Sequence, residues 1–283
     1  MRQRIINARN AQVSQAGSGV TVRNVSWSGA IARGGTVSFG IQGTQAGRGW
    51  QHGRMSFEVI VMTRTAGYRH DSIPDGIRAV QALGEEHGFA VTATEDGDTF
   101  TIDRLAEVAV VVFLNTSGEV LDAAAQRAFE SFIGAGGGFV GVHAAATTGY
   151  SWPFYSRLLG AAYFTDHPEV QQATLRVEDH DHPATAHLGS TWTRRDEWYN
   201  HRCGVRSTAR VLLSVDETSY EGGTMGADHP HAWCVEIAGG RSFYTAGGHT
   251  AEAYDEPDFR AHLLGGIRWA AGGRAGHRGP VAG

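Results

Sequence analysis

The alternation of apolar and polar positions gives the chain two textures. Residues 13–43 carry short alternating runs, "GVTVRNVSW" and "GGTVSFGIQG", rich in Ser, Thr, Gly, Asn and Val. Period-two alternation between glycine turns predicts antiparallel strands, and no helical period occurs there. Residues 43–53, "GTQAGRGWQHG", have the composition of a linker. From Phe57 onward apolar runs of strand length alternate with runs of helical period. "FEVIVM" is followed by an amphipathic stretch over 75–87, "AVTATED", a short helix over 102–107, "VAVVVFLNT" and a longer helix over 121–133. Strands apolar on both faces and separated by helices predict a mainly parallel sheet covered on both sides. Beyond Tyr163, "QQATLRVED", "ARVLLSVDE", "AWCVEIA" and "RSFYTAG" predict more strands before a last helix over 258–271. The pattern divides the chain into a β segment (1–45), a linker (46–56), an α/β domain (57–273) and a tail (274–283). No internal repeat is visible.

The stretch 136–149, "GGGFVGVHAAATTG", reads as a buried strand running into a tight turn with His143 at its apex. Small flanks such as Gly141 and Ala145 let a backbone bend sharply enough to lift one side chain above a sheet. The lifted residue here is an imidazole, which rarely serves as a stable covalent nucleophile. Ligands of open parallel sheets sit beyond the carboxyl ends of the strands, so candidate residues can be sorted by position. His70 follows the first strand, Asn115 and Thr116 the third, His143 the fourth, and His249 the strand "RSFYTAG". Further polar groups stand in "YFTDHP" (Asp166, His167), "RRDEWYNH" (Asp196, Glu197, Tyr199, His201) and "GADHPHAW" (Asp228, His229, His231). Each has a plainer reading, because a histidine after a strand also serves as a helix cap or backbone donor. The run "DHDHP" (179–183) reads as a solvated loop, since its neighbours lack a framework to orient them. His231 reads as incidental, and Cys234, inside an apolar strand, as packing.

Composition narrows the function classes. A chain of 283 residues, 41% hydrophobic, can bury one substantial core. A net charge of -5 argues against nucleic-acid binding. No stretch approaches the roughly 18 apolar residues of a membrane span. All 24 basic residues are arginine, the mark of a high-GC, actinobacterial-type composition, so lysine Schiff-base chemistry is excluded. The two cysteines match no zinc motif. Met1-Arg-Gln-Arg leads into a polar segment and reads as no secretory signal. The 14 histidines are the unusual feature.

Seven motifs in order, "TAGYRHDSI", "GGGFVGVHAA", "FTDHP", "DEWYN", "ADHPHAWC", "GGRSFYTAGGHT" and "DFRAHLLGGIRWA", resemble the ThuA-like (trehalose utilisation) family over about three quarters of the chain. The resemblance implies a flavodoxin-like α/β domain of the class I glutamine amidotransferase type. His143 then stands where the amidotransferase nucleophile would be. Glutaminase chemistry needs a thiolate there, so the expectation is no glutaminase activity. It also implies a role in catabolism of trehalose or a related, oxidised disaccharide. The first segment, "INARNAQVSQAGSGVTVRNVSWSGAIARGGTVSFGIQG", is similar to the second half of a family 2 carbohydrate-binding module, a β-sandwich that stacks aromatics on cellulose or chitin. The module's first half is absent, and Arg9 occupies the position usually filled by Trp, which leaves Trp27 as the stacking residue. A partial sandwich exposes its edges. That resemblance implies polysaccharide as a partner in a longer, extracellular parent chain, with a cytoplasmic setting as the alternative.

Two chemistries stay open for the rim. His70, His143, Glu197, His229 and His249 can hold a divalent metal such as zinc, with an open position for a sugar hydroxyl or water. Without a metal, His143, His70 or His249 with Glu197 can transfer protons at a sugar carbon. The remaining rim groups, Asn115, Thr116, Asp166, His167, Trp198, Tyr199, Asp228 and His229, would bind the sugar. A non-catalytic sugar-binding module, stacking Trp152, Tyr155, Trp198 and Tyr199 on the ring, is the competing class. Such aromatics also serve as core, the plainer reading for Trp152. Spacing leaves the bond changed, the disaccharide and the oligomeric state open.

Overall fold

The computed structural model describes residues 2–9, 12–16, 19–23, 40–46, 57–202 and 204–275. The chain forms two compact units, Met1–Arg54 and Met55–Gly283. In the first, strand Arg2–Arg9 pairs antiparallel with Gly40–Ala46, with a register shift between Ile5 and Asn7. Gln12–Ala16 pairs antiparallel with Gly19–Arg23. Trp27, Cys203, residues 47–56 and residues 276–283 lie outside the described residues.

The second unit is a mixed α/β domain on a nine-stranded sheet. Its strands are β1 (Glu58–Met62), β2 (Ala90–Thr94), β3 (Val110–Leu114), β4 (Gly138–Val142), β5 (Gln171–Val177), β6 (Thr191–Asp196), β7 (Arg210–Asp216), β8 (Pro230–Ile237) and β9 (Gly240–Thr245). Their order across the sheet is β6-β5-β7-β8-β9-β4-β3-β1-β2. Neighbours from β2 to β9 are parallel and those from β9 to β6 antiparallel. Only β5 and β8 therefore run against the rest, and β6 points its carboxyl end to the same edge as β1, β3, β4 and β9.

The two-faced apolar strands explain the layers. Val59, Val61, Val110, Val112, Val140 and Val142 face one core, which they share with Ala79, Val80 and Leu83 of α1 (Ile73–His87) and Leu263 and Ile267 of α5 (Pro257–Ala275). Ile60, Met62, Val111, Phe113 and Phe139 face the other. There they meet Leu105 of α2 (Ile102–Ala106), Phe129 and Phe132 of α3 (Ala123–Gly134), and Tyr155 of α4 (Pro153–Leu158). Asp122 starts α3 by accepting from the amides of Ala124 and Ala125, a cap that satisfies donors the helix cannot.

Two elements, β6 and α4, have no counterpart in the sequence pattern. The inward positions of β6 are Trp192, Arg194 and Asp196, and two buried charges hide its period-two signal. Its inward face packs on α5, with Trp192 against His262 and the Arg194 guanidinium over Phe259. At its end Asp196 meets the loop after β9, accepting from the amides of Gly248 and His249. The "DHDHP" run is not wholly solvated: His182 is buried, its Nδ1 accepts from the Ala184 amide, and its ring stacks on Phe243. Cys234 is a buried free cysteine on β8, and Trp152 is core with its indole N–H donating to Glu130. No helix among the described residues is long and apolar enough to cross a membrane.

Candidate functional site

Loops from the carboxyl edge of the sheet close over one another. After β1 the chain bridges Thr65 to Ser117, whose hydroxyl accepts from the Gly67 amide and donates to the Tyr68 carbonyl, at 3.1 and 2.8 Å. This fixes the loop that carries His70. After β3, Asn115 adopts a positive φ of 50° and donates through Nδ2 to Ser72 Oγ and the Gly248 carbonyl. Thr116 and Thr148 share a hydroxyl hydrogen bond of 2.8 Å. Asn115 and Thr116 thus hold loops together. After β4, His143 has φ of 49° and begins a single 3₁₀ turn, His143–Ala146, an arrangement a non-glycine residue adopts only where its surroundings enforce it. A Cβ on Gly141 would lie 2.9 Å from the Tyr244 ring and 3.3 Å from Ala145 Cβ, so the small flanks are sterically required. The turn lifts His143 into a covered cluster and not into solvent: the side chain is fully buried.

Four donor side chains meet there. The ligating atoms of His70, His143, Glu197 and His249 all lie within 4.8 Å of one another. His143 Nε2 is 3.3 Å from Glu197 Oε2, His249 Nδ1 is 3.2 Å from the same oxygen, and the two imidazole nitrogens are 3.3 Å apart. Ligand bonds of about 2.0–2.1 Å in a tetrahedral site place neighbouring donors about 3.3 Å apart. The three separations thus match one face of such a site. His143 Nδ1 sits 2.7 Å from the Ala246 carbonyl, a contact that orients the ring and turns Nε2 to the cluster. His70 Nδ1 is buried without a hydrogen-bond partner, and its ring stands edge-on to His143 and His249 at 4.8 and 5.1 Å. The donor set therefore fits a divalent ion.

Electrostatics set the protonation of three of these groups. Burial, then the neighbouring imidazoles of His143 and His249, push His70 down to about 3, so it is a neutral donor at pH 7. Burial would raise the Glu197 carboxyl, but hydrogen bonds from His143 and His249 and their charges outweigh it and hold it well below the usual carboxylate range. Burial would lower His249, but its bond to Glu197 and that carboxylate's charge raise it above the usual imidazole value. Glu197 Oε1 faces the half-exposed His167 at 3.0 Å, and Tyr199, buried, lies against the His143 ring at 4.1 Å between centroids.

Other residues singled out in the sequence fall elsewhere. His229 spends Nδ1 on Glu217 at 2.8 Å and Nε2 on the Tyr199 carbonyl at 2.9 Å, outside the cluster. Trp198 is fully buried, donating to the Gln171 carbonyl and packing on His231. Asp228 is exposed and pairs with Arg206, and Asp166 accepts from Asn200. Tyr68, inside a quoted motif but not singled out, is 69% exposed with its ring edge-on to His70 at 4.8 Å. Periodicity and charge give no signal for a lone aromatic in a loop.

The family model for trehalose utilisation, ThuA, matches residues 58–270. The chain belongs to the ThuA family. The model for a cellulose binding domain matches residues 1–58. The ThuA domain is similar in structure to a ThuA-like protein from Bacteroides uniformis, at 24% identity and a TM-score of 0.66, covering 80% of this chain and 95% of that one. A ThuA-like protein from Parabacteroides merdae gives 20% identity and a TM-score of 0.65 over 80% and 93% of the two chains. A β-galactosidase from Bacillus circulans sp. alkalophilus shares the fold over 77% of this chain and 31% of its own, at 13% identity and a TM-score of 0.52. At these identities the likeness concerns the fold. No curated protein matches in sequence.

Proposed function

We propose that the ThuA domain is a carbohydrate-processing enzyme acting in catabolism of trehalose or a related, oxidised disaccharide, with His70, His143, Glu197 and His249 holding a divalent ion, zinc by the character of the donors. The observation that carries this reading is the convergence of four donor side chains from four separate loops, one of which, His70, also has a buried ring nitrogen without a hydrogen-bond partner. The ion would supply Lewis acidity toward a sugar oxygen or bound water. The chain's own groups do the rest. The Ala246 carbonyl orients His143, and His167 Nδ1 stands 3.0 Å from the Glu197 oxygen turned away from the cluster. The strand order β2-β1-β3-β4-β9 supports a flavodoxin-like description of the core. The imidazole at the strand–turn supports the absence of glutaminase activity. Family membership supports the sugar class. The test incubates the protein with trehalose, cellobiose and their 3-keto forms, with zinc or with EDTA, and follows products by chromatography. Turnover that EDTA removes and zinc restores is expected; turnover indifferent to EDTA favours a second reading. In that reading Glu197 and His249, paired at 3.2 Å, move protons without a metal. The non-catalytic alternative relied on Trp152, Tyr155, Trp198 and Tyr199 as a stacking surface, and all four are buried.

Tyr68 is the exposed aromatic beside the cluster. A sugar ring laid on it would bury its C–H face against the aromatic ring, a gain of roughly 25 cal/mol per Å² of apolar surface. Tyr68→Ala should raise KM roughly 3–10-fold with kcat little changed. A fall in kcat at constant KM would place Tyr68 outside sugar binding.

For residues 1–58 we infer polysaccharide binding outside the cell, supported by the cellulose-binding model. With Arg9 at a stacking position, retention on cellulose by this chain should be weak. Strong retention lost in Trp27→Ala would show that Trp27 suffices.

A further inference from the structure

Asp196 ends β6 one residue before Glu197, yet its carboxylate turns away from the cluster and into backbone. Oδ1 accepts from the amides of Glu197 and His249, at 2.9 and 3.0 Å. Oδ2 accepts from the Gly248 amide at 2.8 Å and from Arg194 Nη1 at 2.7 Å. Arg194, itself buried, extends the chain of charge to the half-buried Glu256 by donating through Nε and Nη2, at 2.9 and 3.3 Å. The Gly247–Gly248 backbone presses on this group. A Cβ on Gly247 would lie 2.6 Å from Arg194 Nη1, and Gly248, at φ of 110°, would place one 2.8 Å from Tyr254 Oη.

One carboxylate thus grips the backbone of two cluster donors that follow an edge strand, β6, and a central strand, β9. We propose that Asp196 is the positioning residue of the site, setting the separation of Glu197 from His249 and hence the affinity for a metal ion. This rests on the metal reading above. The four donors on two oxygens explain why a carboxylate stands here. An asparagine would keep one oxygen and present an N–H to groups that can only donate.

The test compares the parent with Asp196→Asn and Asp196→Glu; the second keeps the charge that Arg194 needs, so that a folded variant is in hand. Cobalt(II) is the probe, its visible absorption reporting both occupancy and ligand geometry. Each folded variant should bind cobalt about 10–100-fold more weakly, the range for groups that orient ligands, with an altered spectrum. Crystal structures of the metal-free variants should show the 3.2 Å Glu197–His249 contact opened by on the order of 1 Å. Glu256→Gln, which loosens only the far end of Arg194, should lower the melting temperature while leaving the cobalt Kd within about threefold. A folded Asp196 variant with the parental Kd, spectrum and separation overturns the proposal, as does a Glu256→Gln loss of equal size. If the parent itself takes up no cobalt, the metal reading falls, and the separation alone then decides the role of Asp196.

Discussion

Glu197→Gln is expected to reduce metal content to a few per cent of the parent and turnover by more than about 10³-fold, while leaving the fold intact. The size of the effect follows from how completely this carboxylate is used. Oε2 faces His143 and His249, Oε1 faces His167, and the residue is nearly buried. Glutamine has the same shape, so packing survives. Its neutral oxygen cannot balance a divalent charge, and its amide nitrogen, which only donates, cannot ligate an ion. Loss of an orienting group around a metal typically costs 10–100-fold in affinity or activity, and loss of the cluster's only carboxylate removes more than that. Stability at neutral pH should fall modestly, because the interactions that hold the Glu197 carboxyl below the usual range outweigh its burial and are lost with the charge. Metal analysis after dialysis, with chromatography of the sugars, reads both quantities. A variant that keeps its metal and its turnover would remove Glu197 from the site.

The parallel half of the sheet was legible because buried parallel strands are apolar on both faces, as "VAVVVFLNT" and "GGGFVGVH" are. The sharp turn at His143 was legible because only small flanks permit it, and the Tyr244 ring beside Gly141 shows why. The strand-end rule placed His70, His143 and His249 on one rim, since parallel strands share a direction. Glu197 reaches that rim by another route. It follows β6, which no apolar alternation announces because Arg194 and Asp196 fill its inward face, and only the tertiary fold brings it to His143. Asp196 reads in sequence as one more rim acid, and nothing local tells that its carboxylate serves backbone. The same limit separates His249 from His229: both follow glycine or acidic loops, and only tertiary structure commits both nitrogens of His229 to Glu217 and Tyr199.

Away from the site, the histidines make a second large effect predictable: stability should collapse between about pH 6 and pH 4. His182, His201, His231 and His262 are buried. His182 Nε2, His262 Nε2 and both ring nitrogens of His201 have no hydrogen-bond partner. Burial is the leading cause that pushes His182 down to about 4, His201 and His262 down to about 3, and His231 well below the usual value. An unfolded chain protonates these rings near pH 6.5, whereas the folded one resists to pH 3–4, so unfolding takes up protons in between. Their contribution to stability is complete above about pH 6.5 and is lost progressively as the pH falls toward their folded values. Each proton taken up lowers stability by ~1.4 kcal/mol per pH unit. Several together remove most of a typical 5–15 kcal/mol within two units. Melting temperature measured from pH 8 to 4 should therefore be flat above 7 and fall steeply below 6. His201→Phe, which keeps a ring against Trp233 and Tyr244 and needs no hydrogen bond, should lower the number of protons taken up by about one and shift the fall to lower pH. A melting temperature that holds steady down to pH 4.5, or a His201→Phe curve that overlays the parent, would mean that these rings are not held neutral by burial.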